Sequence, residues 1–128
     1  MSLRKVLSAL REKKEFVIAG HVNPESDSIG SGLALALALR EMGKKAEVVS
    51  RDPLPKQLSF LPHEGVLFQR ETLSDPVDTM VVVDCGDLQR TGLFNGGRAA
   101  VQTLINIDHH VTNPGFGDIN WIEPSATA

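Results

Sequence analysis

The stretch GHVNPESDSIGS, Gly20 to Ser31, places one histidine and two acids, His21, Glu25 and Asp27, in the turn after an apolar run. A turn that only redirects the chain is built from Gly, Asn and Pro. Two more clusters recur downstream: Asp84 and Asp87 in VVVDCGDLQRTG, and Asp108, His109 and His110 in NIDHH. Imidazole and carboxylate form a hard-to-borderline ligand set suited to Mn²⁺, Zn²⁺, Fe²⁺ or Mg²⁺, and the excess of carboxylate favours Mn²⁺ or Mg²⁺. Two such ions about 3.5–4 Å apart are the usual arrangement for phosphoester hydrolysis. They need a bridging carboxylate, and Asp84, ending the apolar run MVVVD, is the natural candidate.

Each residue also has a plainer reading. His21 after a strand can be a hydrogen-bonded structural residue, Asp27 or Ser28 an N-cap, and Asp84 the cap of a following segment. Asp87 reads as the cap of DLQRTG, and Arg90 has two readings, a phosphate contact or an ion pair with an acid. Cys85 reads as a small buried thiol beside a strand. Trp121 and the phenylalanines are too sparse for a base-stacking platform and read as core. What favours a metal centre is that all three clusters fall at the same kind of place in the chain.

That place is the end of a strand. EFVIAG (15–20), KAEVVS (45–50), VLFQ (66–69), TMVVVDCG (79–86) and TLINIDHH (103–110) are short apolar runs rich in β-branched residues. Leu3, Val6, Leu7 and Leu10 recur at helical spacing and predict a surface helix over the first dozen residues. The Ala/Leu run from Ser28 to Met42 predicts a second helix, stopped by Gly43. Its N-terminus, with Gly30 and Gly32, offers a modest anion site. The proline-rich connection RDPLPKQLSFLPHEG is expected to hold one helical turn. Strands alternating with helices predict an α/β fold, a mostly parallel β-sheet with helices on both faces. In such sheets ligands bind outside the C-terminal strand ends, which is where the three clusters would converge.

The bulk properties set limits. A chain of 128 residues suffices for one domain with a single core. The formal net charge of −3 offers no broad attraction to nucleic acid or anionic membrane, so a phosphate-bearing substrate must be held by a local site or by a bound cation. The single cysteine excludes an internal disulfide and fits a reducing, cytoplasmic setting. The longest apolar run, GLALALALR, is too short to span a bilayer, and no secretory signal is visible.

With the clusters assembled, the chain resembles the DHH phosphoesterase superfamily, named for the triplet that stands here as Asp108-His109-His110. HVNPESDSIGS looks like its first motif, VVVDCGDLQRTG its second and NIDHHVTNPGFGDINWIEPSATA its third. The details DLQRTG and HHVTNPGFGDINW are most similar to the nano-RNase/PAP phosphatase branch, also labelled RecJ-like or exopolyphosphatase-related. The resemblance implies a Rossmann-like DHH domain with two Mn²⁺ ions, Mg²⁺ being the second choice. By position, His21 and Glu25 would bind one ion, Asp27 and His109 the other, and Asp84 both. His110 would contact the phosphate, and Asp108 would orient the histidine pair. The implied partners are short single-stranded RNA or a nucleotide phosphate such as 3′-phosphoadenosine 5′-phosphate, with a homodimer as the assembly.

Two departures from the family pattern shape the expectation. Glu25 stands where the family has aspartate, and the added methylene is expected to reduce activity rather than abolish it. The family also continues into a fourth motif with another metal-binding aspartate and a C-terminal substrate-binding domain. Residues 1–128 are therefore expected to be the N-terminal catalytic domain, incomplete at its C-terminus. Competing functions are pyrophosphate or polyphosphate hydrolysis by the same centre, and a non-catalytic nucleotide- or metal-binding module. A dinucleotide-binding domain is disfavoured, since no G-x-G-x-x-G follows the first strand.

Overall fold

The computed structural model describes residues 2–73, 75–94 and 100–128. Helix α1 (Ser2–Glu12) leads into strand β1 (Glu15–Ala19), helix α2 (Ser26–Glu41) and strand β2 (Lys45–Ser50). Strands β3 (Leu67–Gln69), β4 (Val77–Val83), β5 (Val101–Asp108) and β6 (Ile119–Ile122) follow. All five strand pairings are parallel, in the order β3-β2-β1-β4-β5-β6. This is the order of doubly wound sheets, and it puts a topological switch point between β1 and β4.

The central strands are apolar on both faces, as a covered parallel sheet requires. One face buries Phe16, Ile18, Val48, Val81, Val83 and Ile105 beneath α1 and α2. Val6 and Ala9 of α1 share that layer with Ile29, Leu33, Ala36 and Leu39 of α2, the helical spacing of a single buried stripe. The other face buries Ala19, Val49, Met80, Val82 and Leu104 against Leu88, Leu93, Phe94 and Phe116.

The expected α/β class and parallel sheet are present, with one revision in how the sheet is covered. Among the described residues both α-helices lie on one face; a 3₁₀ turn, Leu88–Thr91, and extended chain cover the other. The β2–β3 connection also forms no α-helix, because Pro53, Pro55 and Pro62 interrupt it. It holds only the single turn Lys56–Leu58 and contributes Leu54, Leu58 and Leu61 to the helical face.

Strand β6 has no counterpart among the expected strands, because its four residues are all half-buried and show no alternation. Helix α2 starts two residues earlier than its Ala/Leu run indicates. Glu25 occupies the N-cap position without a side-chain bond, so neither Asp27 nor Ser28 is the cap. At the other end Gly43, at φ +81°, stops the helix as expected. Phe60 departs from the core reading of the aromatics and is 78 % exposed.

Candidate metal centre

Three strand ends meet beside the switch point. Strand β4 ends at Val83, and Asp84 follows with a left-handed backbone, φ +53°. Its N–H still donates to the Ile107 carbonyl at 3.0 Å. A non-glycine residue in this region is uncommon, though aspartate is among the more tolerant types, and the conformation turns the chain sharply out of the sheet. Strand β5 delivers Asp108, His109 and His110 next door, since Val83 pairs with Ile107. At the end of β1, Gly20 lets α2 approach: a Cβ there would fall 1.9 Å from the Ser28 hydroxyl oxygen.

Asp84, Asp108, His109 and His110 each offer a ligand atom, and these four atoms lie within 4.8 Å of one another. His109 Nε2 contacts Asp84 Oδ1 at 2.8 Å, and its Nδ1 contacts the Ala126 carbonyl at 3.1 Å. Both partners are acceptors, so both hydrogen bonds form together only when both ring nitrogens carry a proton. The hydrogen bond to Asp84, then that to Ala126, raises its pKa above the ordinary 6.5. Here a proton links two groups that a divalent ion could equally hold together.

Asp108 is bonded on both oxygens. Its side chain has 0 % exposure; Oδ1 accepts from His110 Nδ1 at 2.7 Å and Oδ2 from Asn113 Nδ2 at 2.8 Å. Burial pushes its pKa up, but the bonds from Asn113, His110 and the His109 N–H outweigh it, and the net shift is downward from 3.8. Asp108, wholly buried and bonded to His110 and Asn113, fits the orientation of His110, whereas the partly exposed Asp84 and His109 could take an ion in place of the proton they share.

Two amides missed in the sequence complete this support. Asn106, at 0 % exposure in β5, donates to the carbonyls of Val82 and Cys85. Its Oδ1 accepts from Asn113 Nδ2 at 2.7 Å, and Asn113 Oδ1 accepts from the Gly115 N–H. The available signal was a polar residue in the middle of the apolar run TLINID, which must find buried partners.

The first cluster lies on the other side of the crevice. His21, Glu25, Ser28, Asp84 and His110 line one cleft of about 260 Å³. His21 Nδ1 closely contacts the neighbouring Val22 carbonyl. The structure thus brings His21 and Glu25 to the same cleft as Asp84, but outside the compact group of four. Asp27 is exposed in the first turn of α2, outside the cleft lined by His21, Glu25 and Asp84. Asp87 caps the turn Leu88–Thr91 by accepting from the Gln89 N–H at 2.9 Å, as expected. Cys85 is buried and donates to the Asp87 carbonyl; burial raises its pKa to about 11, which suits packing and not nucleophilic chemistry.

Comparison with known proteins bears on the family and the fold. The family model described as DHH family, N-terminal domain, matches residues 15–128. A bifunctional oligoribonuclease and PAP phosphatase NrnA of Thermus thermophilus is 42% identical over 117 residues, covering 87% of this chain and 32% of that protein. A probable manganese-dependent inorganic pyrophosphatase of Bacillus cereus is 31% identical over 101 residues, covering 76% of this chain and 31% of that protein. The chain thus spans about a third of the length of these curated relatives. A crystal structure of an exopolyphosphatase-related protein from Bacteroides fragilis superposes with a TM-score of 0.81 at 22% identity, over 99% of this chain and 40% of that one. That likeness shows a shared fold. Motifs, sheet order and family match together place this chain in the DHH family, with residues 15–128 corresponding to its N-terminal domain.

Proposed function

We propose that this chain is the catalytic part of a Mn²⁺-dependent phosphoesterase acting on short oligoribonucleotides or 3′-phosphoadenosine 5′-phosphate. The observation that carries the reading is the group Asp84, Asp108, His109 and His110 at the switch point of the sheet. Asp84 and His109, with His21 and Glu25 across the cleft, would hold the ions, and Asp27 would join them only by turning inward from its exposed place in the first turn of α2. Bound there, divalent ions would supply Lewis-acid charge and a water of lowered pKa.

The remaining work belongs to side chains. Asp108 fixes His110 through Nδ1, leaving Nε2 as the atom for a phosphoryl oxygen. Asn113 and Asn106 hold Asp108 in turn, and Ala126 fixes the plane of the His109 ring. The substrate class rests on the similarity to the Thermus protein.

Pyrophosphate hydrolysis is the second reading, favoured by the 31% identity to the Bacillus protein. Offering a dinucleotide, 3′-phosphoadenosine 5′-phosphate and pyrophosphate to the chain with Mn²⁺ separates the two. Faster turnover of either nucleotide substrate is expected. Faster turnover of pyrophosphate would assign the second reading, and activity that survives Asp84→Asn would remove both.

A further inference from the structure

A second cleft of about 450 Å³ adjoins the first. His21 and His110 line both, and Gly86, Asp87, Arg90 and Thr112 complete the second. Arg90 is exposed, and among the described residues its guanidinium has no hydrogen-bond or ion-pair partner. Among the described residues the ion pair allowed by the sequence is therefore not formed, and the nearby Asp87 carboxylate instead accepts from the Gln89 N–H. The backbone at Arg90 is nonetheless fixed. Its carbonyl accepts from the Val22 N–H at 2.7 Å, joining the turn to the segment that carries His21.

By contrast, the cations around the larger cleft of about 620 Å³, at the opposite end of the sheet, are already engaged. Arg40 bonds to the carbonyls of Ala46 and Gly65, Lys44 to those of Arg11 and Lys13, and Lys45 pairs with Glu15.

We infer that Arg90 binds a second phosphate of the substrate, one ribose away from the phosphate in the cleft of Asp84, His21 and His110. This rests on the phosphoesterase reading and sharpens it. A planar guanidinium meets a phosphate with two parallel hydrogen bonds, and among the described residues Arg90 is the one Lys or Arg side chain lining this cleft. The site selects nucleotides carrying two phosphates, whether the 3′- and 5′-phosphates of a bisphosphate or adjacent phosphates of an oligonucleotide. A nucleoside monophosphate leaves Arg90 without a partner.

The test is calorimetric binding of 3′-phosphoadenosine 5′-phosphate and of AMP, with Mn²⁺ present and the nucleotide checked for intactness after each run. The unmodified chain is expected to favour the bisphosphate by about 10-fold or more, the scale of a charge-assisted hydrogen bond. In Arg90→Gln that ratio falls to about one. Arg90→Lys retains part of it, since a point charge replaces the fork. A ratio near one in the unmodified chain, or a full ratio in Arg90→Gln, overturns the inference and leaves the phosphoesterase reading standing. Binding of neither nucleotide to the unmodified chain overturns both.

Discussion

Asn113 carries no charge, yet three groups of the metal-side cluster depend on its amide. Its Nδ2 reaches Asp108 Oδ2, Asn106 Oδ1 and the Cys85 carbonyl. In Asn113→Ala, Asp108 loses a donor and buried Asn106 loses its acceptor's partner, a cost of about 1–3 kcal/mol. Asp108 has a depressed pKa in the folded chain, so its contribution is present above the unfolded value of 3.8 and is lost as pH falls through the lower folded value. Denaturant melts across acid pH should show Asn113→Ala losing stability at higher pH than the unmodified chain; coincident acid limbs would contradict the network. His109 behaves in the opposite sense. Its folded pKa is raised, so the metal-free chain holds this contribution below 6.5 and loses it as pH rises through the higher folded value. Thermal melts without metal between about pH 6 and about pH 9 should show this loss, and Asp84→Asn should flatten it.

At the scale of elements, the approach of α2 to the end of β1 decides whether the two sides of the crevice face each other. Gly20→Ala drives a Cβ against the Ser28 hydroxyl and within 3.3 Å of the Val83 carbonyl. We expect a loss of about 1–3 kcal/mol, the usual cost of overpacking. Combining it with Ser28→Ala removes the 1.9 Å clash and should restore much of the melting temperature. If the double variant melts no higher than Gly20→Ala, another contact sets the approach.

The same scale shows what could be read in the sequence. β2 spans the expected Lys45–Ser50, and Asp87 caps the turn that follows it in the motif, because both follow from local pattern. β6 escaped because a half-buried edge strand shows neither alternation nor an apolar run. The partners of Asn113 escaped for a different reason. They join β5 to the loop that follows it, and nothing in local spacing shows where an amide's hydrogen bonds go. Asp84, His109, His110 and Asp108 are legible as types and positions, but the division between Asp108, bound on both oxygens, and Asp84, bound on one, arises only when the chain folds.

Over the whole molecule, the strand order makes the site. With β1 between β2 and β4, the chain leaves the sheet in opposite directions from the two central strands and opens a crevice between their C-terminal ends. Asp84 and the His21 segment sit on either side of it, in one cleft. The proposed metal centre requires this crevice to bind a divalent ion through Asp84 and His109. Calorimetric titration of the chain with Mn²⁺, beside Asp84→Asn, is the measurement that decides it. Saturable binding is expected, strengthening with rising pH as His109 gives up its proton and lost in Asp84→Asn. No binding, or equal binding by Asp84→Asn, would contradict it.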